Sequence, residues 1–227
     1  MTPNNMVNMA LLDGLQAIAI SDHNTAGNAE AFLKVAETAG IAAFAGMELE
    51  TAEEIHVLCL FYDAQSANAF DREVVMPALP PLQNRVDIFG PQYLMNQRDE
   101  IVGQEARFLI NATDITIDAL PQLITPYGGI AIPAHIDKAT KSILSVLGTI
   151  DPSLGYPLLE LSKNAPADFL QTHPQLQHCC FLYDSDAHYL QEVGERGKQN
   201  YFELPDETKD TVWQHLLDKA GKRKINF

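Results

Sequence analysis

Histidines and carboxylates recur together four times along the chain: Ser21-Asp22-His23, Glu48 and Glu50 followed by His56, Pro133-Ala134-His135, and Ser185-Asp186-Ala187-His188. Imidazole nitrogen combined with carboxylate oxygen suits zinc, manganese or iron, whereas calcium and magnesium favour oxygen alone. The cysteines fall outside the motifs, so a thiolate zinc site is not expected. A carboxylate shared by two such cations would hold an attacking oxygen and a phosphoryl oxygen between them, which is metal-assisted hydrolysis. One histidine beside an acid is common on any surface. Four such motifs, most of them adjoining an apolar run, point to a polynuclear site at the mouth of several strands.

Each motif also has a plainer reading. Asp22-His23 alone reads equally well as a cap for the helix that follows, and His56 in an apolar strand, taken by itself, is more often a hydrogen-bonded core histidine than a ligand. His135 at a strand end is a better candidate. Asp186 with His188 is the best, because residues i and i+2 of an extended segment share one face. Glu50 alternates in phase with Glu48 and is an alternative ligand; Glu48 is preferred. Lys138, three residues past His135, and Lys163, two past an apolar run, would reach the same mouth and meet a phosphate. Each reads at least as readily as a solvated lysine at a helix start. His173, His178 and His215 lack carboxylates at useful spacing and read as surface residues.

The elements that must position these groups follow from local pattern. Thr2 and Pro3 open a short helix, residues 16–20 form a strand delivering Asp22-His23, and a helix over 27–39 stops at Gly40 before a strand from 41 towards 48. Only residues 51–54 separate that strand from the apolar run 55–61. A parallel crossover needs a dozen or more residues, so the two strands are an antiparallel hairpin with Glu48 and His56 at one sheet edge. Residues 64–78 read as a helix and 82–112 as an insertion with a helix or small hairpin. Helices over 117–124, 138–147, 166–171 and 207–219 then alternate with strands over 130–134, 158–161, 179–183 and 201–204. Repeated β-α units imply a parallel sheet or barrel with helices outside.

A length of 227 residues with 46% hydrophobic content fits a single domain spanning 1–227. Fifteen Lys and Arg against 30 Asp and Glu leave a formal net charge of -15, with no basic stripe. Extended duplex nucleic acid is therefore not expected as a partner, while a small anionic substrate is still admitted because bound cations reverse the local potential. Three cysteines without a C-x-x-C spacing suggest a reducing, cytoplasmic compartment. Nothing reads as a signal peptide or a membrane span.

The motifs Ser21-Asp22-His23-Asn24-Thr25, Gly46-Met47-Glu48, Glu54-Ile55-His56-Val57-Leu58, Pro133-Ala134-His135 and Ser185-Asp186-Ala187-His188 resemble those of the PHP (polymerase and histidinol phosphatase) domain superfamily. The resemblance implies a distorted (β/α)7 TIM-like barrel holding up to three divalent metals (zinc, manganese or iron) that hydrolyses phosphoesters. It implies that Glu48, His56 and His135 form one metal position, that Glu48 bridges to a second using Asp186, and that His23 and His188 serve a third. Asp22 and Asp186 become the candidate catalytic acids, Asp22 by orienting an imidazole. Family members open on a strand carrying His-x-His, and no such motif precedes the first helix here. The barrel is thus expected to lack its first strand, with the start placed at an internal methionine of a longer gene product. The exposed seam would be covered by loose packing, a partner chain or a second copy of the protein.

The leading expectation is a metal-dependent phosphoesterase acting on a small phosphorylated metabolite or nucleotide through metal-activated water. A catalytically impaired or truncated barrel that binds metal or ligand without hydrolysis is the alternative. A polymerase-associated proofreading module has the least in the residues to support it.

Overall fold

The computed structural model describes residues 1–194 and 200–221. Helix α1 (Pro3–Leu12) starts where Thr2 accepts the Asn5 amide and Pro3 occupies the first turn, and it buries Val7 and Ala10. After β1 (Ala17–Ala19) and β2 (Asp22–His23), α2 (Ala29–Ala39) buries Phe32, Val35 and Ala36 on one face and ends at the left-handed Gly40. Strand β3 (Ala42–Glu50) is buried along its whole length, and β4 (His56–Phe61) returns beside it.

A helical stretch follows as α3 (Ala64–Phe70), a π-helical turn (Asp71–Val75) and α4 (Met76–Ala78). Residues 82–112 then hold the short helix α5 (Val86–Phe89) and a hairpin of β5 (Gln92–Met95) and β6 (Ile101–Glu105). The remaining elements are α6 (Leu120–Ile124), β7 (Ile130–Pro133), α7 (Ile143–Leu147), β8 (Leu158–Ser162), α8 (Phe169–Thr172), β9 (Cys180–Asp184) and α9 (Lys209–Lys219).

The fold is mixed α/β. β1 and β2 run parallel to β3, β3 pairs antiparallel with β4, and β4 antiparallel with β7. β8 and β9 form a separate parallel pair, joined to the sheet where the Ile136 amide donates to the Glu160 carbonyl at 2.9 Å. Among the described residues these ladders do not close into a ring.

Two cores lie on opposite faces of β3. The larger takes Ala43, Ala45, Met47 and Leu49 together with α1, α2 and the α3 region. The smaller gathers Phe44, Leu60, Ile130, Ile132, Leu158 and Leu182 beneath Val212, Trp213 and Leu216 of α9. No helix among the described residues is long and apolar enough to cross a membrane.

Several expected elements differ. The helix expected over 64–78 is interrupted by the π-helical turn, and those expected over 117–124 and 166–171 begin at Leu120 and Phe169. The helix expected over 138–147 begins only at Ile143, because Lys141 takes φ +57 and Ser142 is extended and caps α7 through the Ser145 amide. The expected strand over 201–204 has no ladder; Phe202 and Leu204 alternate because both pack on the smaller core, which imitates strand periodicity.

Candidate metal centre

Period-two alternation carries the face of the smaller core upward into polar groups. Phe44 shares its face with Glu48 and Glu50, Leu60 with His56, Leu158 with Glu160, and Leu182 with Asp184. Trp213 lies against the apolar end of this face. At the other end is a cleft of about 200 Å³ whose lining includes His23, Glu48, His56, His135, Asp186 and His188.

The strand registers explain the convergence. His23 pairs with Glu48 across β2 and β3, and His56 pairs with Glu50 across β3 and β4. The Ala134 amide donates to the His56 carbonyl at 3.0 Å, which sets His135 one residue beyond β4's first rung. Glu48 is the hub: Oε2 lies 3.3 Å from His23 Nδ1, while Oε1 lies 3.0 Å from His56 Nδ1 and 3.2 Å from His135 Nε2. Glu50 Oε2 is 3.8 Å from His56 Nε2, on the far side of that ring.

Donor chemistry and spacing fit a divalent cation. Two donors, each about 2.1 Å from a tetrahedral ion, stand roughly 3.4 Å apart, and ligand atoms of His23, Glu48 and His56 all lie within 4.8 Å of one another. A histidine kept in the core for its hydrogen bonds would use both nitrogens. His135 is 3% exposed, turns Nε2 towards Glu48, and leaves Nδ1 buried without a partner among the described residues.

Burial opposes ionisation of Glu48, but hydrogen bonds to His135 and His56 and the charges of His56 and His23 outweigh it and hold the carboxyl well below the usual range. For His56, burial disfavours the charged ring, while hydrogen bonds and charges from Glu48 and Glu50 prevail and raise its pKa to about 9. Beneath them lie two acids that local reading passed over. Glu160 is pushed well up by burial and by the charges of Asp184, Glu48 and Asp186. Asp184 is raised to about 6 by burial, against a hydrogen bond from Asn200. The signal for both was their alternation with Leu158 and Leu182.

The remaining candidates are placed unevenly. Asp186 and His188 both line the cleft, yet the segment is not extended: Asp186 has φ +49, and its carbonyl lies 2.9 Å from His188 Nδ1. Rings of His23 and His188 stand 6.1 Å apart. Asp22 accepts a hydrogen bond from the Asn28 side-chain Nδ2 at 3.0 Å, and burial raises its pKa against that bond. Lys138 lines the cleft and pairs with Asp186. Lys163 is not in the lining, where Lys141 and Thr140 appear instead. His178 is exposed, but His173 and His215 are half-buried, with rings 4.3 Å from Phe169 and 4.5 Å from Phe202. Those two rings serve packing and are not surface histidines.

Six described non-glycine residues have positive φ, and five of them adjoin the centre: Asn24, Glu54, His135, Lys141 and Asp186. Such backbone is costly and persists where surrounding contacts enforce it, commonly at functional sites.

The sequence profile of the PHP domain matches residues 1–152. No curated protein matches the sequence. In structure the chain is similar to the lesion-specific endonuclease EndoQ from Pyrococcus furiosus, at 16% identity and a TM-score of 0.65, covering 98% of this chain and 52% of that one. The chain thus spans about half the length of EndoQ. A protein from Bifidobacterium adolescentis assigned as a metal-dependent phosphoesterase is similar at 17% identity and a TM-score of 0.60, with 99% and 92% of the two chains covered. Endonuclease Q in complex with a 27-mer duplex bearing an abasic lesion at its active site gives 16% identity and a TM-score of 0.61, over 98% and 53%.

That complex corrects the exclusion of extended duplex nucleic acid. A protein with this fold holds duplex DNA at its active site, so net charge does not decide the matter. The total of -15 counts every carboxylate on every face, whereas a phosphodiester meets only the groups at one mouth.

Proposed function

We propose that this chain, which belongs to the PHP domain family, is a metal-dependent phosphoesterase. The observation that carries the reading is the Glu48 carboxylate, approached by His23, His56 and His135 from three separate segments. We read His23, Glu48, His56, His135, Asp186 and His188 as the ligand set, and zinc, manganese or iron as the metals their donors suit. A bound divalent cation would withdraw charge from a phosphoryl oxygen and make water a nucleophile at neutral pH.

The chain's own residues do the rest. Glu48 fixes the imidazoles relative to one another. Glu50 stands 3.8 Å from the second nitrogen of His56, close enough for its charge to bias the ring's orientation. Lys138 lies at the rim, where a phosphate would enter. The substrate class spans small phosphorylated metabolites, nucleotides and oligonucleotide ends. The strand order β1, β3, β4, β7, with the parallel pair β8 and β9 joined beyond β7, is read as an open form of a distorted barrel. The three cysteines form no disulfide, which supports a cytoplasmic setting.

A second reading, a barrel that binds metal without hydrolysis, is supported by one observation: among the described residues only His23, Glu48 and His56 gather as a group of three within ligand spacing. One experiment separates the two. Purified protein is analysed for bound metal and assayed with p-nitrophenyl phosphate and added manganese. Metal with turnover supports the phosphoesterase, metal without turnover the binding protein, and a folded sample with neither removes both.

A further inference from the structure

We propose that Lys138 and Lys141 form a two-armed clamp for the dianionic phosphate of a phosphomonoester, with Lys141 as the fixed arm and Lys138 as the movable one. The step from clamp to substrate class rests on the phosphoesterase reading; the anion site itself does not.

Both lysines line the cleft that holds His23, Glu48, His56 and His135. Their loop is bonded to the ligand-bearing segments. The Lys138 amide donates to the His135 carbonyl at 2.9 Å, and the His56 amide donates to the Lys141 carbonyl at 2.9 Å. Immediately before Lys138, Asp137 accepts from the Ser162 amide at 2.7 Å and from its hydroxyl at 2.6 Å, anchoring the start of the loop to β8. The backbone positions from which the two lysines project are therefore set relative to the imidazoles.

Lys141 shows what its side chain is for. Its φ of +57 is a conformation that glycine adopts freely and a lysine only with strain. Its ammonium lies 2.5 Å from Glu50 and 2.8 Å from Glu54. Glu50 is buried, its side chain 6% exposed, so this arm has a rigid support. Lys138 pairs instead with Asp186, at 41% and 20% side-chain exposure. Lys141 is about as exposed, at 38%, so what separates the arms is the number of acids paired with each among the described residues. A cation bound at Asp186 would take the acid paired with Lys138 and turn that lysine towards a phosphate oxygen, while Lys141 would keep both of its own.

Charge and donor count select the ligand. Each ammonium has three donors and no acceptor; Lys141 commits two to Glu50 and Glu54 and keeps one for a ligand, and Lys138 commits one to Asp186. A monoester dianion presents three terminal oxygens, enough for both lysines and a cation; a diester presents two and a single charge. Glu48, Glu50, Glu54 and Asp186 repel any anion until cations are bound, so phosphate binding must depend on metal.

The test uses inorganic phosphate as probe. Its affinity is measured by calorimetry for wild type, K138M, K141M and K141R, with and without manganese, alongside metal content. Hydrolysis of p-nitrophenyl phosphate is compared with that of bis-p-nitrophenyl phosphate. Each methionine variant is expected to bind phosphate about tenfold more weakly with metal content unchanged, and to lose monoester preference by a similar factor, while K141R restores most of it. Should K141M fail to fold, K141G, which suits the positive φ, is expected to show the same loss. Phosphate affinity unchanged in the methionine or glycine variants overturns the clamp even if hydrolysis is seen. Lysine-dependent phosphate binding without any hydrolysis keeps the clamp and removes the phosphoesterase reading.

Discussion

The Nδ1 atom of His56 lies 3.0 Å from Oε1 of Glu48, although the residue facing His56 in the ladder is Glu50. The ring bridges two in-phase acids on β3, touching Glu48 with one nitrogen and approaching Glu50 with the other. Ligand and orienting roles therefore separate along one strand.

The first prediction follows from that separation. Glu48→Gln removes the negative charge shared by three imidazoles and replaces one accepting oxygen with a donor; it is expected to weaken manganese binding by more than about 100-fold, whereas Glu50→Gln, acting through the ring, costs roughly tenfold. Titration calorimetry checks the ratio. Equal losses would show that the two acids are not divided in this way.

A pH dependence follows from His56. Its folded pKa of about 9 lies above the ordinary value of 6.5, so the folded metal-free protein binds a proton more tightly than the unfolded chain. The resulting stabilisation is complete below about pH 6.5 and is lost as pH rises through about 9, in total on the order of 1–3 kcal/mol. Urea midpoints of metal-free protein between pH 6 and 10 are expected to fall across that window, and His56→Gln to flatten the fall. Manganese affinity runs the other way, rising over the same range because the metal competes with that proton. A flat profile in wild type would contradict the Glu48–His56 pairing.

Gly46 supplies a prediction about scaffold and site together. A Cβ there would stand 2.8 Å from the Cys59 carbonyl and 2.9 Å from the Ile20 carbonyl, both backbone atoms that cannot swing away. Gly46→Ala is expected to destabilise by about 1–3 kcal/mol and to weaken metal binding, since β1, β3 and β4 must spread and Glu48 lies two residues on. Denaturant unfolding with a parallel metal titration measures both. Stability within error of wild type would mean the strands are less tightly spaced.

The sequence by itself determined what depends on near neighbours. Thr2-Pro3 and Gly40 mark helix ends because capping is local, and the four residues 51–54 dictate an antiparallel return because chain length forbids a crossover. The types in the four motifs sufficed to nominate an imidazole and carboxylate centre. Tertiary structure decided the grouping. Only the registers of β2, β3, β4 and β7 reveal that His23 faces Glu48 and that one carboxylate serves three rings. Left-handed turns at His135, Lys141 and Asp186 break the local periodicity on which strand and helix readings rely, so α7 started late and Lys141 emerged as a cleft residue. Glu160 and Asp184 are ordinary strand residues until β8 and β9 bring their acids beneath Glu48 and Asp186. A contact between remote segments is fixed by the summed packing of the whole chain, and no window of residues contains it.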